Sequence, residues 1–153
     1  MSNTTALDFC LRLARAYAVL IRRLDNSLGG LHGISFSDFQ LLFYMERAPG
    51  GRLRRVDLAE RLGLTASGIT RTLQPLEKIG LVTRQSDPRD ARIGYAVLTE
   101  AGQNLLQNAH LTAVMICQEL LKDTEEEQLE VLATVLGQIA GMNLSNTWEN
   151  YNE

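Results

Sequence analysis

Leu58-Ala59-Glu60-Arg61-Leu62-Gly63-Leu64-Thr65-Ala66-Ser67-Gly68-Ile69-Thr70-Arg71-Thr72-Leu73 is the stretch that decides the fold. Leu58 and Leu62 lie one helical turn apart, and Gly63 supplies a residue able to take the left-handed conformation on which such a helix ends. Thr65 has the side-chain oxygen that caps a second helix, whose inward side is Ile69, Leu73 and Leu76. Ala59 is small where the two helices must approach closely. Two short helices joined in this way form a helix-turn-helix.

Away from the apolar stripe, the second helix carries Ser67, Thr70, Arg71, Gln74 and Lys78. Hydroxyl, guanidinium, amide and ammonium groups on one face are those that hydrogen-bond base edges and phosphates in a major groove. Pro75 removes one backbone donor and crowds the Arg71 carbonyl, but Leu76 and Ile79 continue the apolar spacing, so a bend rather than a stop is expected. Beyond it, Gly80–Gln85 and Ile93–Leu98 are two β-rich runs around the charged tip Ser86-Asp87-Pro88-Arg89-Asp90-Ala91-Arg92, the pattern of a hairpin. Helix, turn, helix and hairpin make a winged helix. Arg89, beside Pro88 at the tip, is placed to enter a minor groove.

Five segments in order carry a resemblance to the MarR family of bacterial transcriptional regulators: Leu58–Leu62, Thr70-Arg71, Leu76–Val82, Asp87–Arg92 and Leu98–Gly102. Together they span about a third of the chain. The resemblance implies that Asp87, Asp90 and Arg92 hold the wing's shape through ion pairs. It implies a repressor acting on double-stranded DNA at a pseudo-palindromic site, and a small aromatic or anionic effector bound between the dimerisation helices and the DNA lobe. Tyr17, His32 and Tyr44 are candidates to line that effector space, and each serves equally well as a core or interface residue. Some relatives sense oxidants through a cysteine in the first helix. Cys10 occupies that helix, but Arg12 and Arg15 point away from its row and the rest of that subgroup's pattern is absent, so an inert thiol is expected. A redox sensor on the same fold and a winged helix serving only protein contacts remain as alternatives.

Charge distribution agrees with a nucleic-acid reader. The net charge of the 153 residues is −3, yet residues 52–92 hold nine basic against five acidic side chains, whereas the remainder holds six against thirteen. A basic segment on an acidic body concentrates the attraction for phosphate where the helix-turn-helix lies. Two histidines and two separated cysteines, Cys10 and Cys117, make no metal cluster or CxxC pair. No phosphate loop, HExxH or nucleophile elbow is present, so neither a cofactor nor an enzyme activity is implied. No apolar run reaches membrane-spanning length and no signal pattern opens the chain, giving a cytoplasmic expectation with no membrane partner.

The remaining segments read as helices. Residues 5–28 form a long first helix with two apolar rows, Leu7, Leu11, Ala14, Ala18 and Ile21 beside Cys10, Leu13, Tyr17, Leu20 and Leu24, closed by Gly29-Gly30 and Gly33. Ser37-Asp38-Phe39-Gln40 has the form of a capping box for a second helix ending near Ala48. Pro49-Gly50-Gly51 is a turn. Arg52, Arg54 and Arg55 then stand at the entrance to the third helix, with possible contacts to the DNA backbone. Thr99 caps a fifth helix to about Lys122, with Leu105, Ala109, Ala113, Ile116, Cys117 and Leu120 inward, and Thr124-Glu125-Glu126-Glu127 starts a last one reaching Gly141. Wide apolar faces at both ends predict a homodimer built by interleaving the termini. The expected fold is mainly α with a small β-hairpin wing: a winged helix-turn-helix lobe over residues 35–99 and a helical dimerisation region over 1–34 and 100–153. The segment from Asn143, with Trp148 and Tyr151, shows no periodicity.

Overall fold

The computed structural model describes residues 3–141, so the segment containing Trp148 and Tyr151 lies outside the described residues. The order is α1 (Asn3–His32), α2 (Phe36–Glu46), a single 3-10 turn (Pro49–Gly51), β1 (Arg52–Arg54), α3 (Arg55–Leu62), α4 (Ala66–Lys78), β2 (Val82–Ser86), β3 (Gly94–Leu98), α5 (Glu100–Leu120) and α6 (Glu126–Ile139). The mainly helical architecture with a small antiparallel sheet is the expected one. Two compact units divide the chain, one up to Ile116 and one from Cys117. Among the described residues no helix is long and apolar enough to cross a membrane.

In the first unit, the core is built from one side of each helix. Leu24 and Leu28 of α1, Leu41, Leu42 and Met45 of α2, Leu58 of α3, Ile69, Leu73 and Leu76 of α4 and Leu106 of α5 are fully buried. Burying each such side chain contributes about 1.5–3 kcal/mol before chain entropy is counted. The N-terminal part of α1 differs. Leu7, Leu11 and Tyr17 are each more than 60% exposed in the single chain, and Cys10 is exposed beside them. Cys10, on the second apolar row of α1, is thus open to solvent in the single chain.

Helix ends depart from the sequence reading in three places. Gly29 and Gly30 do not close α1, which continues to His32 and ends only at Gly33, where φ is +70°. Glycine inside a helix costs about 1 kcal/mol, and the extra turn is held by a 2.8 Å hydrogen bond shared by His32 Nε2 and Thr112 Oγ1. The cap of α2 is Ser35 rather than Ser37: Ser35 Oγ accepts from the Asp38 N–H and Asp38 Oδ2 accepts from the Ser35 N–H. Asp25 Oδ1 accepts from the Phe36 N–H at 2.7 Å, which ties the start of α2 to α1. The box that opens α6 is displaced the other way, one residue later than expected, with the Gln128 side chain accepting from the Glu125 N–H.

The sheet has three strands in the order β1-β3-β2, both pairings antiparallel. Val82 faces Leu98 and Ser86 faces Gly94 across the hairpin, as the two β-rich runs predict. On its other side β3 pairs with β1, Arg52 opposite Val97 and Arg54 opposite Tyr95. The arginines expected at a helix entrance thus lie in a strand, apart from Arg55, which opens α3.

The base of the hairpin is bonded to the start of α5. Thr99 Oγ1 donates to the carbonyls of Gly80 and Leu81 and accepts from the Gly102 N–H, so it caps α5 as expected. Gly102 is buried against this joint. The inward row of α5 includes Ala109 and Ala113 as expected, while Leu106, not Leu105, is the fully buried leucine.

In the second unit, Lys122 pairs with Glu119 and Gly141 takes a φ of +66° beyond the end of α6. Val131, Leu132, Leu136 and Ile139 of α6 are exposed.

Candidate nucleic-acid interface

Local chemistry places the two helices as the sequence predicts. Gly63 ends α3 in the left-handed conformation, φ +62°, and Leu64 N–H returns to the Ala59 carbonyl at 2.8 Å. Thr65 Oγ1 accepts from the Gly68 N–H at 3.1 Å and caps α4. Ile69, Leu73 and Leu76 turn inward and are buried. The opposite side then has to face solvent: Ser67, Arg71, Gln74 and Lys78 are exposed and Thr70 is half-buried. α4 runs through Pro75 to Lys78 without interruption. Ile79 departs from the apolar pattern, being 61% exposed just past the helix end.

The basic side chains of residues 52–92 divide by whether the protein already uses them. Arg54 forks onto Asp57 and Arg92 onto Asp90, each through two nitrogens, and Arg84 Nε donates between the two carboxylate oxygens of Glu77 of α4. Arg52 donates to Gln85 Oε1 and lies over the Tyr95 ring, 4.6 Å from its centroid. Arg55 donates to Thr70 Oγ1 at 2.8 Å. Arg61 is also engaged. Among the described residues that leaves Arg71, Lys78 and Arg89 as the exposed cations of this segment with no side-chain partner. Exposed ion pairs contribute at most about 1 kcal/mol each, so the paired arginines matter chiefly as braces. The Arg84–Glu77 pair ties β2 to α4, and Arg52 touches both hairpin strands from β1.

The wing tip is organised around Asp87. Its Oδ1 accepts from the backbone N–H of Arg89 at 2.7 Å and of Asp90 at 3.3 Å, and its Oδ2 accepts from the Tyr95 hydroxyl. Asp87 therefore shapes the tip through hydrogen bonds rather than an ion pair. Asp90 pairs with Arg92 at 3.0 Å, and that hydrogen-bonded guanidinium holds the Asp90 carboxyl below the usual carboxylate range. Arg89, between Asp87 and Asp90, keeps its side chain exposed.

Comparison with known proteins agrees with this geometry. The signature of the MarR family matches residues 32–93, from the end of α1 to the residue before β3. The transcriptional regulator BldR of Sulfolobus solfataricus is 31% identical, with 90% of this chain and 99% of that one aligned at a TM-score of 0.80. This chain belongs to the MarR family of transcriptional regulators. Sco3205, a MarR family regulator of Streptomyces coelicolor solved in complex with DNA, is 26% identical over 92% of this chain and 88% of its own, with a TM-score of 0.83. The regulator MhqR of Bacillus subtilis is 25% identical over 90% of this chain and 92% of its own length.

Within this MarR family chain, the residues named for an effector space have different neighbours. His32 is bonded to Thr112, whereas Tyr17 is 63% exposed on α1. Tyr44 meets the Phe43 ring edge-on, and burial pushes its hydroxyl pKa up, opposed in part by Arg61. Beside it, Phe43 and Phe39 stack with His110 of α5, and the Arg47 guanidinium lies 4.2 Å from the Phe43 centroid. That aromatic row was not singled out from sequence, although Phe39 and Phe43 stand one turn apart and gave a usable signal. Both cysteines are free thiols, and burial raises the Cys117 pKa. The contacts Arg55–Thr70, Arg84–Glu77 and Arg52–Tyr95 were also missed, since each joins residues from different elements.

Proposed function

We propose that this MarR family protein is a sequence-specific reader of double-stranded DNA that acts as a homodimer on a pseudo-palindromic site, a regulator rather than an enzyme. α4 enters a major groove with Ser67, Thr70, Arg71, Gln74 and Lys78, and the wing brings Arg89 to the adjacent minor groove. Two such lobes would meet half-sites about one helical turn apart. The observation that carries this reading is the division of the cations: Arg71, Lys78 and Arg89, on α4 and the wing tip, are uncommitted while their neighbours are braced. Exposed apolar side chains on α1 and α6, Leu7, Leu11, Val131 and Ile139 among them, support self-association through the dimerisation region at residues 1–34 and 100–153. Repression relieved by a small aromatic or anionic ligand completes the proposal. A ligand need only disfavour the DNA-competent arrangement by about 1–3 kcal/mol to act.

Selection of bound duplexes from a randomised library at near-physiological salt tests this directly. Enrichment of a two-fold motif with half-sites one turn apart is expected, with affinity that falls steeply as salt rises. Salt-sensitive binding with no motif would reduce the protein to a general DNA binder, and absence of binding would defeat the reading. On the selected duplex, Arg71→Ala is expected to cost about 1–3 kcal/mol and to relax preference at one position per half-site. A loss equal for all sequences would make Arg71 a phosphate contact instead.

A further inference from the structure

The hydroxyl of Thr70 is already spoken for on two sides. It donates to the Ala66 carbonyl at 3.0 Å, one turn back along α4, and it accepts from Arg55 Nη2 at 2.8 Å. A hydroxyl has one proton and two lone pairs. With the proton held on Ala66 and one lone pair taken by Arg55, Thr70 can meet an outside group only through its last lone pair or its methyl.

Arg55 supplies the constraint from another helix. It opens α3, 15 positions before Thr70 in the chain, and is half-buried between the two. A guanidinium has no acceptor, so it can only donate to Thr70 and cannot take the hydroxyl's proton. While Arg55 is in place, the proton must point elsewhere, and the Ala66 carbonyl is the partner it has. Remove the guanidinium and the hydroxyl is free to rotate and to serve as donor or acceptor at will.

We propose that Arg55 is a positioning residue for sequence reading: it holds Thr70 as an acceptor and methyl surface, and so sets what base edge Thr70 tolerates. This deepens the DNA-binding reading above and rests on it. Facing a base pair, such a Thr70 accommodates an exocyclic N–H of adenine or cytosine, or the thymine methyl, and offers no donor to a guanine O6 or N7. Arg55 keeps donors to spare at the rim of α4, which suits a phosphate contact, but that contact would carry no sequence information.

The test is duplex selection and affinity measurement with the full chain and its Arg55→Ala, Arg55→Lys, Thr70→Val and Arg55→Ala/Thr70→Val variants. With Arg55→Ala, preference at one base-pair position per half-site is expected to fall by about fivefold or more while the other positions keep theirs. Thr70→Val is expected to alter the same position, with no further change in the double variant. Arg55→Lys, which keeps a donor and no acceptor, is expected to preserve the preference. Should Arg55→Ala fail to fold by circular dichroism, Thr70→Val and Arg55→Lys still decide the matter through the position they affect or spare. Uniform weakening by Arg55→Ala with an unchanged motif, or different positions affected by the two single variants, would overturn the proposal while leaving the DNA reading intact. A wild-type protein that enriches no motif would overturn both.

Discussion

Replacing Gly102 with alanine is expected to destabilise the first unit by about 3 kcal/mol. The added methyl would fall inside contact distance of the Leu81 carbonyl oxygen and 2.7 Å from Leu98 Cδ1. Leu81 cannot simply retreat, because its carbonyl accepts from both the Thr99 N–H and the Thr99 hydroxyl, and its own N–H is bonded to the Leu76 carbonyl at 3.0 Å. The clash is with backbone held on three sides, so either α5 lifts from the hairpin base or these bonds break. In a chain of this length the loss corresponds to a fall in melting temperature of about 6–12 °C. Thermal unfolding followed by circular dichroism measures it; a melting temperature within a degree of the parent would mean that the joint can open at no cost.

Leu73→Ala is expected to cost about 2–5 kcal/mol, the range for truncating a buried leucine. Leu73 is 0% exposed and sits between Ile69 and Leu76 on the inner side of α4. Its removal leaves a cavity under the middle of the helix proposed to read DNA. Arg71→Ala on the outer side of the same helix serves as control, since an exposed substitution away from any brace changes stability by no more than about 0.5 kcal/mol. Urea titrations of the two variants should separate widely. Equal midpoints would show that the inner row of α4 is not the core it is described to be.

Much of the lobe was legible in the sequence because it depends on local chemistry. Gly63 and Thr65 announce a helix end and a helix start by what their own backbone and side chain can do, and the Ile69, Leu73 and Leu76 row needs only helical spacing. The hairpin was readable for the same reason, with two β-rich runs around a Pro-containing tip. What escaped depends on partners distant in the chain. β1 is three residues long and becomes a strand only because β3 is there to pair with it. Gly29 and Gly30 look like terminators, yet the Thr112 contact made by His32 lies 80 positions away. Ser35 and Ser37 each have a reciprocal partner three residues on, Asp38 and Gln40, and the structure selects Ser35, where Asp25, 11 positions back on α1, holds the Phe36 N–H. Gly102 reads as an ordinary helical glycine until the Leu81 carbonyl appears above it.

The candidate site was legible in its outline and not in its assignments. Polar residues off the apolar stripe identify the exposed side of α4, but whether a given arginine is available depends on what the fold brings near it. Arg52, Arg54 and Arg55 look alike in sequence and end in different company: Arg52 with Gln85 and Tyr95, Arg54 with Asp57, and Arg55 with Thr70. Thr70 itself, an ordinary surface hydroxyl by its spacing, proves to be engaged on two sides.

The Asp87 carboxylate, bonded to two backbone amides and to Tyr95, bears on the kinetics of encounter. A hairpin tip left to itself samples many conformations, and a partner that needs one of them must bear the entropy of selecting it at the moment of contact. Here that selection is made during folding, since Asp87 already gathers the Arg89 and Asp90 amides. In the DNA reading proposed above, association would then need no slow ordering step at the tip. Its rate is left to diffusion and to long-range attraction by the unpaired cations, which salt screens and which brings charged partners together faster than random collision.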